Sequence, residues 1–226
     1  NQIVFFQKFF FKSLKSKKSK NPIILISSKK IIEKQMRVLN FKFKIKKLDP
    51  NNLKLNKLNN KFINLINIDY DQKKPFQKIS GKSNKFIKDC FEIAFKIIKK
   101  EKITKFINGP ISKKHFLKKK YLGVTEYISE KFKIKNTCMV IFNKKLSVCP
   151  VTTHLPIKLV PNRINKKNLC DKIILINNFY KQFISKKPSI AILGLNPHCE
   201  SILKYNEDVK IIKPVIKKMQ GSGYNI

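Results

Sequence analysis

The chain has no tryptophan, two alanines (Ala94 and Ala191), two arginines (Arg37 and Arg163) and six glycines in 226 residues. Each shortage excludes something. No G-x-G-x-x-G dinucleotide fingerprint is present, and six scattered glycines leave no room for a disguised one. The string SGKS at Ser80–Ser83 has the second half of a phosphate-binding loop, but the glycine required five residues before Gly81 is Phe76. Without it the backbone nest cannot form, and the phosphate-loop reading is rejected. Cysteine pairs are missing too: Cys90, Cys138, Cys149, Cys170 and Cys199 show no C-x-x-C and no framework spacing. They read as reduced, mostly buried thiols of a cytoplasmic protein. No apolar stretch approaches the roughly 20 residues of a membrane span.

Acidic residues are scarce: 13 Asp and Glu face 51 Lys and Arg, for a formal net charge of +38. Such a charge ordinarily announces a polyanion partner. Here the excess is nearly all lysine and runs the whole length of the chain. Asn, Ile and Phe are also abundant, which matches A- and T-rich codons. Genome base bias accounts for the pattern more economically than nucleic-acid binding.

What is present has the rhythm of an α/β fold. Pro22–Ser27 and Phe62–Ile68 read as buried strands, and Phe41–Leu48 as a half-exposed one. Helices are expected over Lys29–Leu39, with Ile31, Ile32, Met36 and Val38 inward, and after a Ser83 cap, with Phe86 to Ile98 at helical spacing. The segment Asn1–Lys20 reads as a core helix followed by a basic turn. Asp49–Lys61 reads as loop, Lys105–Ile107 as a short strand opening into the turn Asn108-Gly109-Pro110, and Lys113–Lys120 as a short basic helix. His115 lies among lysines there and takes no role. Cys138–Phe142 and Leu146–Val151 read as strands joined by an Asn-Lys-Lys turn. A long helix capped by Asn165 or Asn168 runs to Ile184, a strand covers Ser189–Leu195, and a last helix runs from Glu207 to Gln220, with Gly221 or Gly223 ending it. Strands alternating with helices argue a mainly parallel sheet. No linker divides the chain, so it reads as a single α/β region.

Two of the three histidines occupy similar places. His154 lies in Pro150–Pro156 (PVTTHLP) and His198 ends Leu193–His198 (LGLNPH), each after an apolar run that stops at a polar turn. Parallel strands deliver side chains to a shared cleft in this way. Imidazoles so placed suit zinc, manganese or cobalt, although a histidine at a strand end is more often a hydrogen-bonded loop residue.

These strings, with GVTE at Gly123–Glu126, SGK at Ser80–Lys82 and NGP at Asn108–Pro110, occur in one order. Together they resemble the 4-hydroxythreonine-4-phosphate dehydrogenase family of pyridoxal phosphate biosynthesis, from about Asn21 to the last residue. The resemblance implies two α/β subdomains around a cleft, in the manner of isocitrate and isopropylmalate dehydrogenases, and a homodimer. It implies NAD-linked oxidation and decarboxylation of 4-phosphohydroxy-L-threonine, with a divalent metal: zinc, magnesium, manganese or cobalt. His154 and His198 match two of that family's three metal-binding histidines; the third belongs to a YHDQG-type motif that does not occur here. A GDPAGIG-type loop expected before the first helix is also absent, so both ends of a longer protein are expected to be missing. Thr125 matches a substrate-contacting threonine, and it also suits the N-cap of a helix over Glu126–Phe132. Val124 departs from the family's histidine, which leaves open a related four-carbon phosphorylated hydroxy acid as substrate. Two further readings stay open: a truncated or decayed relative without turnover, and a basic nucleic-acid-binding module.

Overall fold

The computed structural model describes residues 2–16, 21–78, 80–118, 120–199 and 205–226. The basic turn expected at Lys17–Lys20 and residue Lys119 lie outside them. The chain forms two compact units, Asn1–Tyr121 and Leu122–Ile226.

The first unit is built on a three-stranded parallel sheet of order β1-β3-β2, with β1 at Ile24–Ser27, β2 at Ile45–Lys47 and β3 at Ile63–Asn67. Leu25 pairs with Leu65 and Lys46 with Asn64, so β3 is the central strand. Being covered on both faces, it buries Ile63, Asn64, Leu65 and Ile66 in an unbroken run. Alternation along the strand sends Ile63 and Leu65 to one face, where they meet Phe11 and Leu14 of α1 (Gln2–Lys15) and Ile32 and Met36 of α2 (Lys29–Val38). Helix α3 (Asn84–Lys100) lies against β1. The buried amide of Asn64 donates to the carbonyls of Ile23 (3.1 Å) and Asn59 (2.9 Å), and Asn60 accepts from the Ile23 N–H (3.0 Å). Those bonds fix where β1 begins.

Several expectations change in this unit. Val38 is exposed, because the inward stripe of α2 runs through Ile32, Gln35, Met36 and on to Leu39, which leaves Val38 off it. The strand expected over Phe41–Leu48 shortens to three residues, since Phe41 and Phe43 pack on the core from irregular backbone. Ser83 stands at the N-cap of α3 without accepting a bond; Ser80 instead accepts from the Lys82 N–H and caps a 3-10 turn at Gly81–Ser83. No strand forms over Lys105–Ile107, where Ile107 is 80 % exposed and burial gives no reward for pairing. The expected helix after Ser112 is a single π-helical turn, Lys113–Leu117.

The second unit contains α4 (Val124–Phe132), α5 (Lys166–Phe179) and α6 (Lys213–Gly221). Its core joins Leu169 and Ile173 of α5 to Val215 and Met219 of α6, with Ile164 and Ile212. Asn165, not Asn168, caps α5 by accepting from the Asn168 N–H at 2.9 Å. The last helix closes with the Gly223 N–H on the Gln220 carbonyl and the Tyr224 N–H on the Met219 carbonyl, which satisfies two end carbonyls. The two strands expected around the Asn143 turn reduce to one antiparallel bridge, Ile141 with Val148. The segment Ser189–Leu195 keeps the expected alternation, with Ile190 and Ile192 packed inward and Leu193 84 % exposed. It forms no strand, however; its Ile190 N–H bonds to the Asn225 carbonyl at 2.9 Å. Parallel sheet and flanking helices make the chain α/β, as its sequence pattern implies.

Candidate active-site residues

Two turns of the second unit present the histidines, and each is shaped by a glycine that lets other groups close in. Gly123 stands at the N-cap of α4. A Cβ there would lie 2.8 Å from Oε2 of Glu126 and 3.5 Å from Nε2 of His154. Glycine therefore allows the Glu126 carboxylate and the His154 ring to share the space over the helix start. Glu126 is the acidic residue of the first turn, where the helix dipole favours negative charge. Its Oε2 is buried and has no hydrogen-bond partner. Tyr127, buried, anchors the helix behind it.

Thr125 is not the cap that its sequence position suggested. The helix begins two residues earlier than expected, at Val124, which places Thr125 in the first turn with an exposed side chain while its carbonyl accepts from the Ser129 hydroxyl at 2.7 Å. Val124 is half-buried beside it.

The second turn depends on Asp208, a residue that the sequence pattern gave no role. Its buried carboxylate accepts from the backbone N–H of Leu195 (2.8 Å), the N–H of Asn196 (3.0 Å) and the Asn196 side-chain amide (2.8 Å). Burial alone pushes this carboxyl up; the bonds from the Asn196 side chain and from the Leu195 and Asn196 amides outweigh it and hold the group below the usual carboxylate range. Asn206 in turn accepts from the Asp208 N–H at 2.8 Å, fixing the start of the following helical turn. Gly194 completes the knot, since a Cβ there would lie 2.5 Å from Sγ of Cys199 and 2.9 Å from Oδ1 of Asp208. The signal for this was available: an Asn-x-Asp run ahead of a helix, in a chain with 13 acidic residues.

His154 and His198 are both exposed and both have left-handed backbone, with φ of 58° and 56°. Cys199 follows at 58°. Lysines and a serine with positive φ at 118, 133 and 185 terminate helices, which is the ordinary use of that conformation. The histidines end no helix. Non-glycine residues held there cost about 1–3 kcal/mol and concentrate at functional sites. Among the described residues no three His, Cys, Asp or Glu side chains come together as a metal cage. The donor chemistry nevertheless fits a borderline divalent ion in part: two imidazoles open to solvent, one of them beside a carboxylate oxygen without a partner. The Asn108-Gly109-Pro110 turn belongs to the first unit, where Gly109 faces the ring of Phe6.

The architecture is that of dehydrogenases with an isocitrate-dehydrogenase-like fold. A solved 4-hydroxythreonine-4-phosphate dehydrogenase from Burkholderia phymatum superposes with a TM-score of 0.76 over 97 % of this chain and 68 % of that one, at 22 % identity. The family described as pyridoxal phosphate biosynthetic protein PdxA matches residues 18–226, and the chain belongs to that family. A 4-hydroxythreonine-4-phosphate dehydrogenase from Sulfurihydrogenibium sp. (strain YO3AOP1) is 35 % identical over 207 residues, 90 % of this chain and 63 % of that protein. A D-threonate 4-phosphate dehydrogenase from Pectobacterium atrosepticum is 26 % identical over 145 residues, 60 % of this chain and 44 % of its own length. The chain thus spans a little under two thirds of the first of these relatives.

Proposed function

We propose that the chain forms part of a metal- and NAD-dependent dehydrogenase. It oxidises 4-phosphohydroxy-L-threonine, with decarboxylation to 3-amino-2-oxopropyl phosphate, in vitamin B6 synthesis. The observation that carries this reading is the pair of exposed histidines in left-handed turns, His154 against Gly123 and Glu126 and His198 on the turn tied down by Asp208. The reaction class is supported by a relative named 4-hydroxythreonine-4-phosphate dehydrogenase.

On this reading His154 and His198 would hold the metal through ring nitrogens. The bound ion supplies Lewis acidity to the oxidation and decarboxylation. Glu126 places an unpaired carboxylate oxygen on the His154 side, and a negative charge there favours a cation nearby. Asp208 keeps the His198 turn in one conformation, so the imidazole is positioned before ligand arrives. Thr125 offers an exposed hydroxyl to substrate at the start of α4. The hydride acceptor would be NAD, and no residue of this chain is assigned to it. The partners are the small phosphorylated substrate and a second copy of the chain, in the cytoplasm.

Val124 favours one second reading within the same chemistry. An isopropyl group in place of an imidazole removes a donor to an anionic or polar substituent, which suits a substrate without the amino acid's full set of contacts. A D-threonate 4-phosphate dehydrogenase stands among the relatives. The test is NAD reduction with each phosphorylated acid in the presence of zinc, magnesium, manganese or cobalt, on the native protein and on Val124→His. The proposed reading predicts turnover of phosphohydroxythreonine that rises in the variant; preference for threonate phosphate, lost in the variant, selects the second. Absence of turnover with either acid and any of the four ions contradicts both and leaves a relative that keeps the fold without the reaction.

A further inference from the structure

Away from the histidines, the second unit places two cysteines on facing arms of one hairpin. Cys138 and Cys149 sit on the two arms of the hairpin defined by the Ile141–Val148 bridge. In that register Cys149 faces position 140, and Cys138 is its diagonal neighbour on the same face, at a spacing of roughly 7–8 Å. Each thiol shifts the other's titration, Cys138 down and Cys149 up. A third group joins them from α5: the Lys172 ammonium donates to the carbonyl of Thr137, the residue before Cys138, and its charge acts on both sulfurs. The hairpin is also fastened to the end of α5, with the Tyr180 hydroxyl on Ser147 at 3.0 Å and Phe142 against the Phe179 and Tyr180 rings. Cys90, by contrast, has no such cluster, and burial pushes its thiol up to about 12.

We propose that Cys138 and Cys149 form an oxidant-responsive dithiol, with hydrogen peroxide as co-reactant, Cys138 as the attacking sulfur and Cys149 as the resolving one. The electrostatics agree with that order. The Cys149 thiol donates to Cys138 and, with the Lys172 charge, brings Cys138 down to about 6, while the same hydrogen bond and burial drive Cys149 up. Attack by the Cys138 thiolate on the peroxide forms an S–O bond and breaks O–O; the leaving hydroxide takes a proton and departs as water. Cys149 then attacks Sγ of Cys138, forming S–S and breaking S–O, and its own proton leaves with the second water. Two thiols and one peroxide give one disulfide and two waters, with both sulfurs oxidised and both peroxide oxygens reduced. Among the described residues one bridge pair holds the arms, so they retain freedom to bring the sulfurs to the roughly 2.05 Å of a disulfide.

The second arm continues through Pro150 to His154, so closure of the disulfide constrains the segment that carries a candidate metal ligand. The state of the dithiol is read independently of any activity.

The test is treatment of the native protein with one equivalent of hydrogen peroxide at pH 7, followed by thiol blocking and peptide mapping. The expected product is an intramolecular 138–149 disulfide that dithiothreitol reverses. In Cys149→Ala, Cys138 is expected to stop at a sulfenic acid captured by dimedone. Alkylation of Cys138 by iodoacetamide is expected to rise with pH through an inflection near 6. At pH 7 its rate should exceed that of a thiol with the ordinary value of 9.0 by about fourfold, once the lower nucleophilicity of the more acidic thiolate is included. Lys172→Gln should move the inflection up. Oxidation confined to Cys199 or to intermolecular products, with Cys138 and Cys149 still thiols, overturns the proposal. So does an alkylation inflection near 9 in the native protein, a measurement that does not require either variant to fold.

Discussion

Replacement of Asp208 by asparagine isolates the group that shapes the His198 turn. The carboxylate accepts three bonds from Leu195 and Asn196, at 2.8, 3.0 and 2.8 Å. The replacing amide keeps one oxygen, so its NH2 group must face a donor from which the carboxylate accepted. One charged-group bond is lost, at about 1.5–3 kcal/mol, and two others weaken from charge-assisted to neutral, at about 1 kcal/mol each. The expected loss is about 3–5 kcal/mol, or about 2 M in urea midpoint for a slope near 2 kcal/mol/M. Circular dichroism at 222 nm through a urea series measures it, with Glu207→Gln as a neighbour whose own contact, 3.3 Å to the Asn196 amide, is long. The pH dependence gives a second readout. Because the folded carboxyl lies below its ordinary 3.8, its contribution is present above that pH and is lost as pH falls through the folded value. The native protein should lose this part of its stability only below about pH 3.8, and Asp208→Asn should lack that segment of the profile. A variant within about 0.5 kcal/mol of the native protein, the range of an ordinary surface change, refutes the reasoning.

Three other perturbations separate parts of the account. Gly123→Ala puts a methyl 2.8 Å from the Glu126 carboxylate, a flexible side-chain end that can swing aside, so it should cost no more than about 1 kcal/mol in urea unfolding yet displace that carboxylate and weaken cobalt binding at His154. Phe11→Ala empties a fully buried position between α1 and the sheet and should cost about 3–5 kcal/mol, read by thermal melting, with peroxide oxidation of Cys138 unchanged in the folded protein. Asp71→Asn removes an exposed partner of Lys34, and its small effect on the urea midpoint should vanish in high salt.

The sequence was most readable where burial is periodic. The central strand at Ile63–Asn67 and the helices after Ser28, Ser83 and Asn165 appear close to where apolar spacing and caps put them. It was least readable where an apolar alternation has no ladder to join. Lys105–Ile107 and Ser189–Leu195 carry strand-like patterns, yet one is exposed and the other takes a backbone partner from Asn225 rather than from a sheet. At the site, the histidine-bearing turns could be picked out by composition, because only three histidines exist and two end apolar runs. The contacts that shape them could not. Asp208 acts across a loop on backbone amides twelve and thirteen residues away, and Glu126 meets His154 only through the fold. The placing of Cys138 and Cys149 on one face of a hairpin depends likewise on its register, which residue spacing alone leaves undetermined.

The most direct test of the central claim is a titration of the protein with cobalt(II), followed by visible absorption, on the native form and on a His154→Ala, His198→Ala double variant whose fold is checked by circular dichroism. The account predicts about one equivalent bound with ligand-field bands in the native protein and none in the folded double variant. Equal binding by both forms, or the same bands in the variant, contradicts the assignment of these histidines to a metal site.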